Sequence, residues 1–361
     1  MIYLIYILRE EYNGGIKMSD FEKNSNFNFD DDDFFNDEDI NYQSYSNTEK
    51  PKKKTHFSTI ILAFLFIVVI VLVIIVVKNS FGDNNDDITT TTAPITTTLP
   101  QNYTTVLLTE SDISKGQLVL INNSHSYKYD TTQGGLEKLY SASIAYTLSG
   151  SELQVTKETL KNLKNWLEDF EKTANKSSDK RVIIIDAFRS DADQAKLFNY
   201  YVDLYGSEEE AKKHAQPSGY SEHHSGLCVD MKVWDGVATS QLKDNAEFSW
   251  VLDNAYKYGF IQRYPEGKTS ITGVAAEPGH FRYIGVVHAT AMKKNNASCL
   301  ESYIDFLRNY TFEGEHLMVE CDNGDKYEIY FSNSLTVTVP TDKEYSISGN
   351  NVDGFIVTIK N

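Results

Sequence analysis

Hydrophobic positions along this chain follow three different patterns. From Thr59 to Val77 the sequence reads TIILAFLFIVVIVLVIIVV, an apolar run with no charge in it. At about 1.5 Å per helical residue it is long enough to cross a hydrocarbon core of about 30 Å, and it predicts one transmembrane helix over 57–78. A buried core helix would carry a polar stripe, which is missing. A cleaved signal peptide fits poorly, because the run is long, starts far from the N-terminus and lacks a small-residue cleavage pattern after it.

The second pattern, over 107–310, mixes helix and strand periods. Leu160, Leu163, Leu167 and Phe170 recur at 3/4 spacing and predict a helix, Arg181 to Ile185 reads as a buried strand, and Leu118 to Ile121 as a shorter one. Ser190 with Asp193, Ser207 with Glu210 and Ser298 with Glu301 have capping-box spacing, and Gly259 ends a helix expected from about 247 to 258. The third pattern, 311–361, is β-rich. Two strand-like runs flank Asp322-Asn323-Gly324, and Leu335 to Val339 and Phe355 to Ile359 follow.

Charge completes the organisation. There are 34 Lys and Arg against 51 Asp and Glu, a net −17, which argues against a nucleic-acid partner. Much of the acid lies in 1–54, which contains DDDDFFNDED at 30–39 and cannot bury enough apolar surface to fold; we expect a disordered cytoplasmic tail there. Lys52, Lys53 and Lys54 precede the apolar run while Asp83, Asp86 and Asp87 follow it, so the positive-inside rule puts everything after Lys78 outside the membrane. Between Thr89 and Thr105 there are nine threonines, broken by Pro94 and Pro100, and 79–106 reads as an extended spacer. The three cysteines, Cys228, Cys299 and Cys321, make no disulfide framework.

Two segments hold the candidate chemistry: SGYSEHHSGLCVDM at 218–231 and EPGHFRYIG at 277–285. His223 and Asp230 flank a Gly-containing stretch that can bend an imidazole and a carboxylate onto one cation. His280 would complete three protein ligands with a fourth position left for water, the composition of a catalytic zinc centre. Glu277, three residues before His280, is close enough to accept that water's proton. Each residue alone is more commonly structural; the joint pattern is what points to a site.

These segments resemble the VanY-like D-alanyl-D-alanine carboxypeptidases, zinc peptidases of bacterial walls. The form Ser-x-His-x-x-Gly-x-Ala-x-Asp is matched by Ser221, His223, Gly226 and Asp230, with Cys228 in place of Ala. Glu-Pro-Trp-His is matched by Glu277, Pro278 and His280, with Gly279 in place of Trp, and Tyr-Arg-Ser followed by Gln resembles Phe188, Arg189, Ser190 and Gln194. YGFIQRYPEGKTSITG at 258–273 is similar to the family's lead-in to the second motif.

The resemblance implies an α+β fold in which an antiparallel sheet carries the metal ligands among surrounding helices. It implies Zn2+ on His223, Asp230 and His280, and Glu277 as general base and acid. Arg189 would hold a substrate carboxylate or the developing oxyanion, with Gln194 and Ser221 hydrogen-bonding the peptide. The substrate would be the terminal D-Ala of peptidoglycan stem peptides, reached by a catalytic domain tethered outside a bacterial membrane. An L,D-carboxypeptidase acting on tetrapeptide stems uses the same machinery, and a non-catalytic wall-binding protein would keep the same fold. Gly279 is expected to enlarge the site beside His280, and Cys228 to fill the Ala position as a compact hydrophobe. Of the other histidines, His224 should point away from the metal, while His214 and His288 read as structural.

Overall fold

The computed structural model describes residues 99–127, 135–140, 145–173 and 179–361. The acidic tail, the predicted membrane helix at 57–78 and the spacer up to residue 98 lie outside these residues. Among the described residues no helix is long and apolar enough to cross a membrane.

Strand β1 (Tyr103–Leu107) is followed by the short strands β2 (Leu136–Lys138), β3 (Thr147–Leu148) and β4 (Gln154–Thr156), then by helix α1 (Lys157–Thr173), β5 (Arg181–Asp186) and α2 (Asp191–Tyr205). Next come β6 (Cys228–Trp234), β7 (Thr239–Ser240), β8 (Phe260–Tyr264) and β9 (Glu277–Tyr283), then the helices α3 (Val286–Lys294) and α4 (Leu300–Leu307). Five strands close the chain: β10 (Leu317–Glu320), β11 (Lys326–Ser332), β12 (Thr336–Pro340), β13 (Tyr345–Gly349) and β14 (Phe355–Lys360). The result is a mixed fold of sheets and helices.

The central sheet has the order β3-β5-β6-β9-β8 with β7 added on β6. It is antiparallel apart from the parallel β3–β5 pair. Successive side chains of β6 alternate between its faces. Val229, Met231 and Val233 enter the core beneath α1, whose stripe Leu160, Leu163, Leu167 and Phe170 is buried there as the 3/4 spacing predicts. Trp166, fully buried, stacks on Phe260 with ring centroids 5.0 Å apart and meets Phe281 edge-on at 5.2 Å. Its Nε1 donates to Val251 O at 3.2 Å, so the indole is buried without a polar penalty. The other face of β6 carries Cys228 and Asp230 towards the site.

Two of the three capping pairs form. Ser190 Oγ accepts from Asp193 N at the start of α2, and Ser207 Oγ accepts from Glu210 N. The third does not: α4 starts from Cys299, one residue after Ser298, with no side-chain cap, and the Glu301 carboxylate pairs with Arg263 at 2.7 and 2.9 Å. The helix expected over 247–258 is a regular turn at Ser249–Asn254 between tighter turns, and it does end at Gly259, whose φ of 84° is open to glycine at little cost. Leu118 to Ile121 is not a strand. Its four residues are buried, but their backbone is satisfied individually: Leu120 N donates to Asn350 O, and the Val119 and Ile121 carbonyls accept from Arg282 and Arg263. Side chains take the place of a neighbouring strand, which no periodicity could announce.

The β-rich C-terminal region forms a sheet of order β10-β11-β14-β13, with the predicted turn at Asp322-Asn323-Gly324 between its first two strands. Strand β13 had no clear sequence signal. The expected boundary at residue 310 marks a change of secondary structure rather than of packing, since Ile329, Phe331 and Ile356 share one core with Leu118, Ile284, Leu300 and Ile304. The spacer also ends earlier than expected: Tyr103–Leu107 pairs antiparallel with β12. Its β-branched Thr104, Thr105 and Val106 suit an edge strand once a partner edge is available.

Candidate active site

The site lies where β6 and β9 run side by side. Asp230 and His280 are direct cross-strand partners, which brings their side chains together on one face. His223 comes from a tight turn at Glu222–Ser225, capped by Ser221 Oγ accepting from His223 N and closed by Gly226 at φ 66°. A Cβ on Gly226 would stand 2.6 Å from the Leu136 side chain, so glycine serves both the turn and the close packing behind it.

Three sequence-predicted ligands converge. Asp230 Oδ2 is 3.3 Å from His223 Nε2, and Asp230 Oδ1 is 2.8 Å from His280 Nδ1. The outer nitrogen of His223 is committed, its Nδ1–H donating to Ala187 O, and Nε2 faces the site. His280 Nδ1 and Asp230 Oδ1 have no hydrogen-bond partner despite their proximity and burial. Two imidazole nitrogens and a carboxylate brought together, with His280 Nδ1 and Asp230 Oδ1 unsatisfied, fit a cation with nitrogen and oxygen ligands such as zinc. In the protein alone, burial works against a charged Asp230, but the two imidazoles outweigh it and hold its carboxyl far below the usual range.

Glu277 stands at the rim, its Oε2 3.6 Å from His280 Nδ1 and its side chain 40% exposed. Protein packed around this concave position desolvates the carboxylate and pushes its pKa up to about 6, with the Asp230 charge acting in the same direction and His280 opposing it. That value suits a group that must exchange protons near neutrality.

Arg189 follows β5. Its guanidinium pairs with Asp186, and its NH1 donates to Gln194 Oε1 at 2.6 Å. Gln194 is buried, and its Nε2 donates in turn to Gln216 O at 2.5 Å. Gln194 is therefore placed to hold Arg189, and Ser221 to cap the His223 turn; neither is displayed as the open peptide-binding group the sequence suggested. His224 does point away, donating from Nδ1 to Arg189 O and accepting at Nε2 from Gly219 N.

The expected enlargement at Gly279 does not appear. A Cβ there would lie 2.4 Å from the Met231 carbonyl oxygen, so glycine lets β9 close onto β6 and leaves no space in the direction of a side chain. A small cavity of about 230 Å³ beside it is lined by Pro278, Gln262, Leu252 and the paired Lys243 and Glu266.

Sequence reasoning missed what lies behind the ligands. Glu222, fully buried, accepts from Arg263 Nε and Arg282 NH1 at 2.7 Å each and puts its Oε2 3.5 Å from His280 Nε2. Asp186 stands 3.9 Å from His223 Nδ1. The two arginines did leave a signal, as cations on the strands FIQRY and EPGHFRY: Arg263 lies next to the buried Tyr264, and Arg282 between the buried Phe281 and Tyr283.

Comparison with known proteins supports a carboxypeptidase, a hydrolytic enzyme. Residues 153–286 match the VanY family, D-alanyl-D-alanine carboxypeptidase. A D-alanyl-D-alanine carboxypeptidase of Enterococcus faecium is 34% identical over 258 residues, 70% of this chain and 78% of that protein. A bifunctional D-Ala-D-Ala dipeptidase and carboxypeptidase, VanXYC of Enterococcus gallinarum, is 33% identical over 133 residues, 36% of this chain and 69% of the relative. The crystal structure of the vancomycin-resistance D,D-dipeptidase VanXYg with a D-Ala-D-Ala phosphinate analogue superposes with a TM-score of 0.62 at 26% identity, covering 72% of this chain and 99% of that one. The chain belongs to the VanY-like D-alanyl-D-alanine carboxypeptidase family.

Proposed function

We propose that this protein is a zinc-dependent, membrane-anchored D,D-carboxypeptidase that removes the terminal D-Ala from peptidoglycan stem peptides outside the cell. The observation that carries the reading is the cluster of His223 Nε2, His280 Nδ1 and the Asp230 carboxylate, with unsatisfied atoms facing one another below Glu277. Zinc held by these three residues supplies Lewis-acid polarisation of the scissile carbonyl and a water of lowered pKa.

The rest is the work of the chain's own groups. Glu277 takes the proton of the attacking water on its carboxylate and returns it to the nitrogen of the departing D-Ala. Arg189, braced by Asp186 and Gln194, presents the remainder of its guanidinium to the substrate's terminal carboxylate, where a planar fork binds both oxygens. His223 is fixed in one tautomer by its bond to Ala187 O, so its free nitrogen stays on the metal side. The apolar run at 59–77, with lysines before it and aspartates after it, supports a tether that places the domain on the outer side.

The test is to incubate the protein with a synthetic stem pentapeptide and tetrapeptide, with and without a chelator, and read the product masses. We expect chelator-sensitive loss of one alanine from the pentapeptide, restored by zinc. Loss from the tetrapeptide alone would move the assignment to L,D-cleavage, and a folded, zinc-loaded sample that releases nothing would leave wall binding without catalysis. Protease added to intact cells should remove the catalytic domain; its protection would overturn the topology.

A further inference from the structure

Cys228 occupies a position at which the family resemblance has alanine, and it lies on the metal-facing side of its strand. It precedes Asp230 by two residues in β6, so the two side chains share a face. Cys228 is completely buried, yet it belongs to none of the four hydrophobic clusters, although Leu227 and Val229 on either side of it do. Its sulfur faces nitrogen instead. The ligating atoms of His223, Cys228 and His280 all lie within 4.8 Å of one another. Beside it, His280 is 97% buried by its 3% exposure, and neither of its ring nitrogens has a hydrogen-bond partner.

We propose that the Cys228 thiolate is a fourth protein donor to the cation held by His223, Asp230 and His280. The inference rests on the metal site of the proposed function. Zinc bonds of about 2.0 Å to nitrogen and about 2.3 Å to sulfur set tetrahedral donors about 3.5 Å apart, a spacing bracketed by the observed 2.8 Å and 3.3 Å to Asp230 and the 4.8 Å limit among His223, Cys228 and His280. Binding converts the thiol to a thiolate and releases its proton to solvent. A sulfur donor in a site otherwise made of nitrogen and oxygen shifts preference towards thiophilic cations, zinc and cadmium over magnesium or manganese. It also fills the position that a three-ligand site leaves to water. The four residues would hold the cation, which would still supply the Lewis-acid chemistry of the proposed function. A compact hydrophobe at this position would do none of this.

The experiment uses the full-length chain with cobalt(II) as probe, as wild type, Cys228→Ala and Cys228→Ser. Alanine is the residue of the resembled motif and serine nearly preserves volume, so both variants test the sulfur rather than the packing. The wild type should show near-ultraviolet thiolate-to-cobalt charge-transfer absorption that both variants lose, while all three retain the visible bands of bound cobalt. In competition with a chelator, zinc retention should fall at least about tenfold in each variant. Visible bands without charge transfer in the wild type, or equal zinc retention in all three, would overturn the thiolate ligand and leave the His223, Asp230 and His280 site intact. A wild type that binds neither cobalt nor zinc would overturn both readings. If a variant fails to fold, the wild-type spectrum alone still decides.

Discussion

Glu222 Oε2 lies 3.5 Å from His280 Nε2, on the side of the imidazole opposite Asp230, while Oε1 of the same carboxylate accepts from Arg263 and Arg282. The ring of His280 is thus held between a carboxylate in the site and one behind it, and the rear carboxylate is itself fixed by two buried cations. Glu301 completes the group by binding Arg263 through both oxygens, so two arginines and two glutamates balance in charge. Glu222→Gln should unbalance it. Removing one partner of a buried ion pair costs about 3–5 kcal/mol, and losing a carboxylate behind a ligating histidine costs about 10–100-fold in metal affinity. Thermal unfolding and chelator competition measure the two effects separately; a variant with native values for both would show that His280 is oriented without Glu222.

Glu277→Gln should separate chemistry from metal binding. Among the described residues, the ionic contact of Glu277 is with His280 Nδ1 at 3.6 Å. The amide cannot accept the proton, so kcat should fall by about 10²–10⁴ while zinc content and melting temperature stay near wild type. In the wild type the carboxylate must be ionised to act as base. With burial raising its pKa to about 6, activity should decline as pH falls through that value, and a bound cation would move the limb to lower pH. A variant that loses its zinc, or an unaltered acid limb in the residual activity, would count against this role.

Arg189 should act on substrate binding. Arg189→Lys keeps the charge but not the fork, and it cannot reproduce both the bond to Gln194 and the pair with Asp186 while still reaching a carboxylate. A charge-assisted hydrogen bond is worth about 1.5–3 kcal/mol, so KM for the pentapeptide should rise roughly 10–100-fold. Metal affinity should be unchanged. Gln194→Leu should give a smaller rise in KM, because it frees the guanidinium without removing it. Steady-state kinetics beside a zinc titration distinguish these results from a general loss of folding.

The site was legible in the sequence where function demands a residue type, and illegible where the fold could meet the demand in several ways. His223, Asp230, His280 and Glu277 carry their signal in two short segments because the proposed metal site would restrict the residue types it can use. Gln194 and Ser221 stand beside Arg189 and His223, and their partners depend on the Arg189 rotamer and the Glu222–Ser225 turn, which spacing does not encode. Gly279 misled for a related reason. Its meaning lies in the approach of the Met231 carbonyl on another strand, a long-range contact absent from any local pattern. Among the elements, α1 and β5 were clear from periodicity, whereas Leu118 to Ile121 looked like a strand because burial alone makes an apolar run. Glu301 shows the same limit: its spacing suggested a cap at Ser298, but the helix starts one residue later, from Cys299, and the carboxylate pairs with Arg263.

His288 gives a last prediction, about the join between α3 and the C-terminal sheet. Its Nδ1 is 2.8 Å from Tyr303 Oη and its Nε2 is 2.9 Å from Thr358 Oγ1, so one imidazole links α3, α4 and β14. Both partners are hydroxyls and no carboxylate is among them. Burial therefore lowers the pKa of His288 to about 3 from its ordinary 6.5. The sign follows from proton counting: between these values the unfolded chain takes up a proton that the folded protein refuses, so stability is complete above pH 6.5 and declines as pH falls towards 3. The slope from this residue approaches about 1.4 kcal/mol per pH unit below the unfolded pKa. A His288→Gln variant does not titrate. It should be less stable than wild type at pH 7, and the gap should close as the pH is lowered from 6.5 to 4.5 in urea unfolding. A gap that stays constant over that range would mean that His288 accepts its proton in the folded state, and that the link between α3 and the C-terminal sheet does not depend on a neutral imidazole.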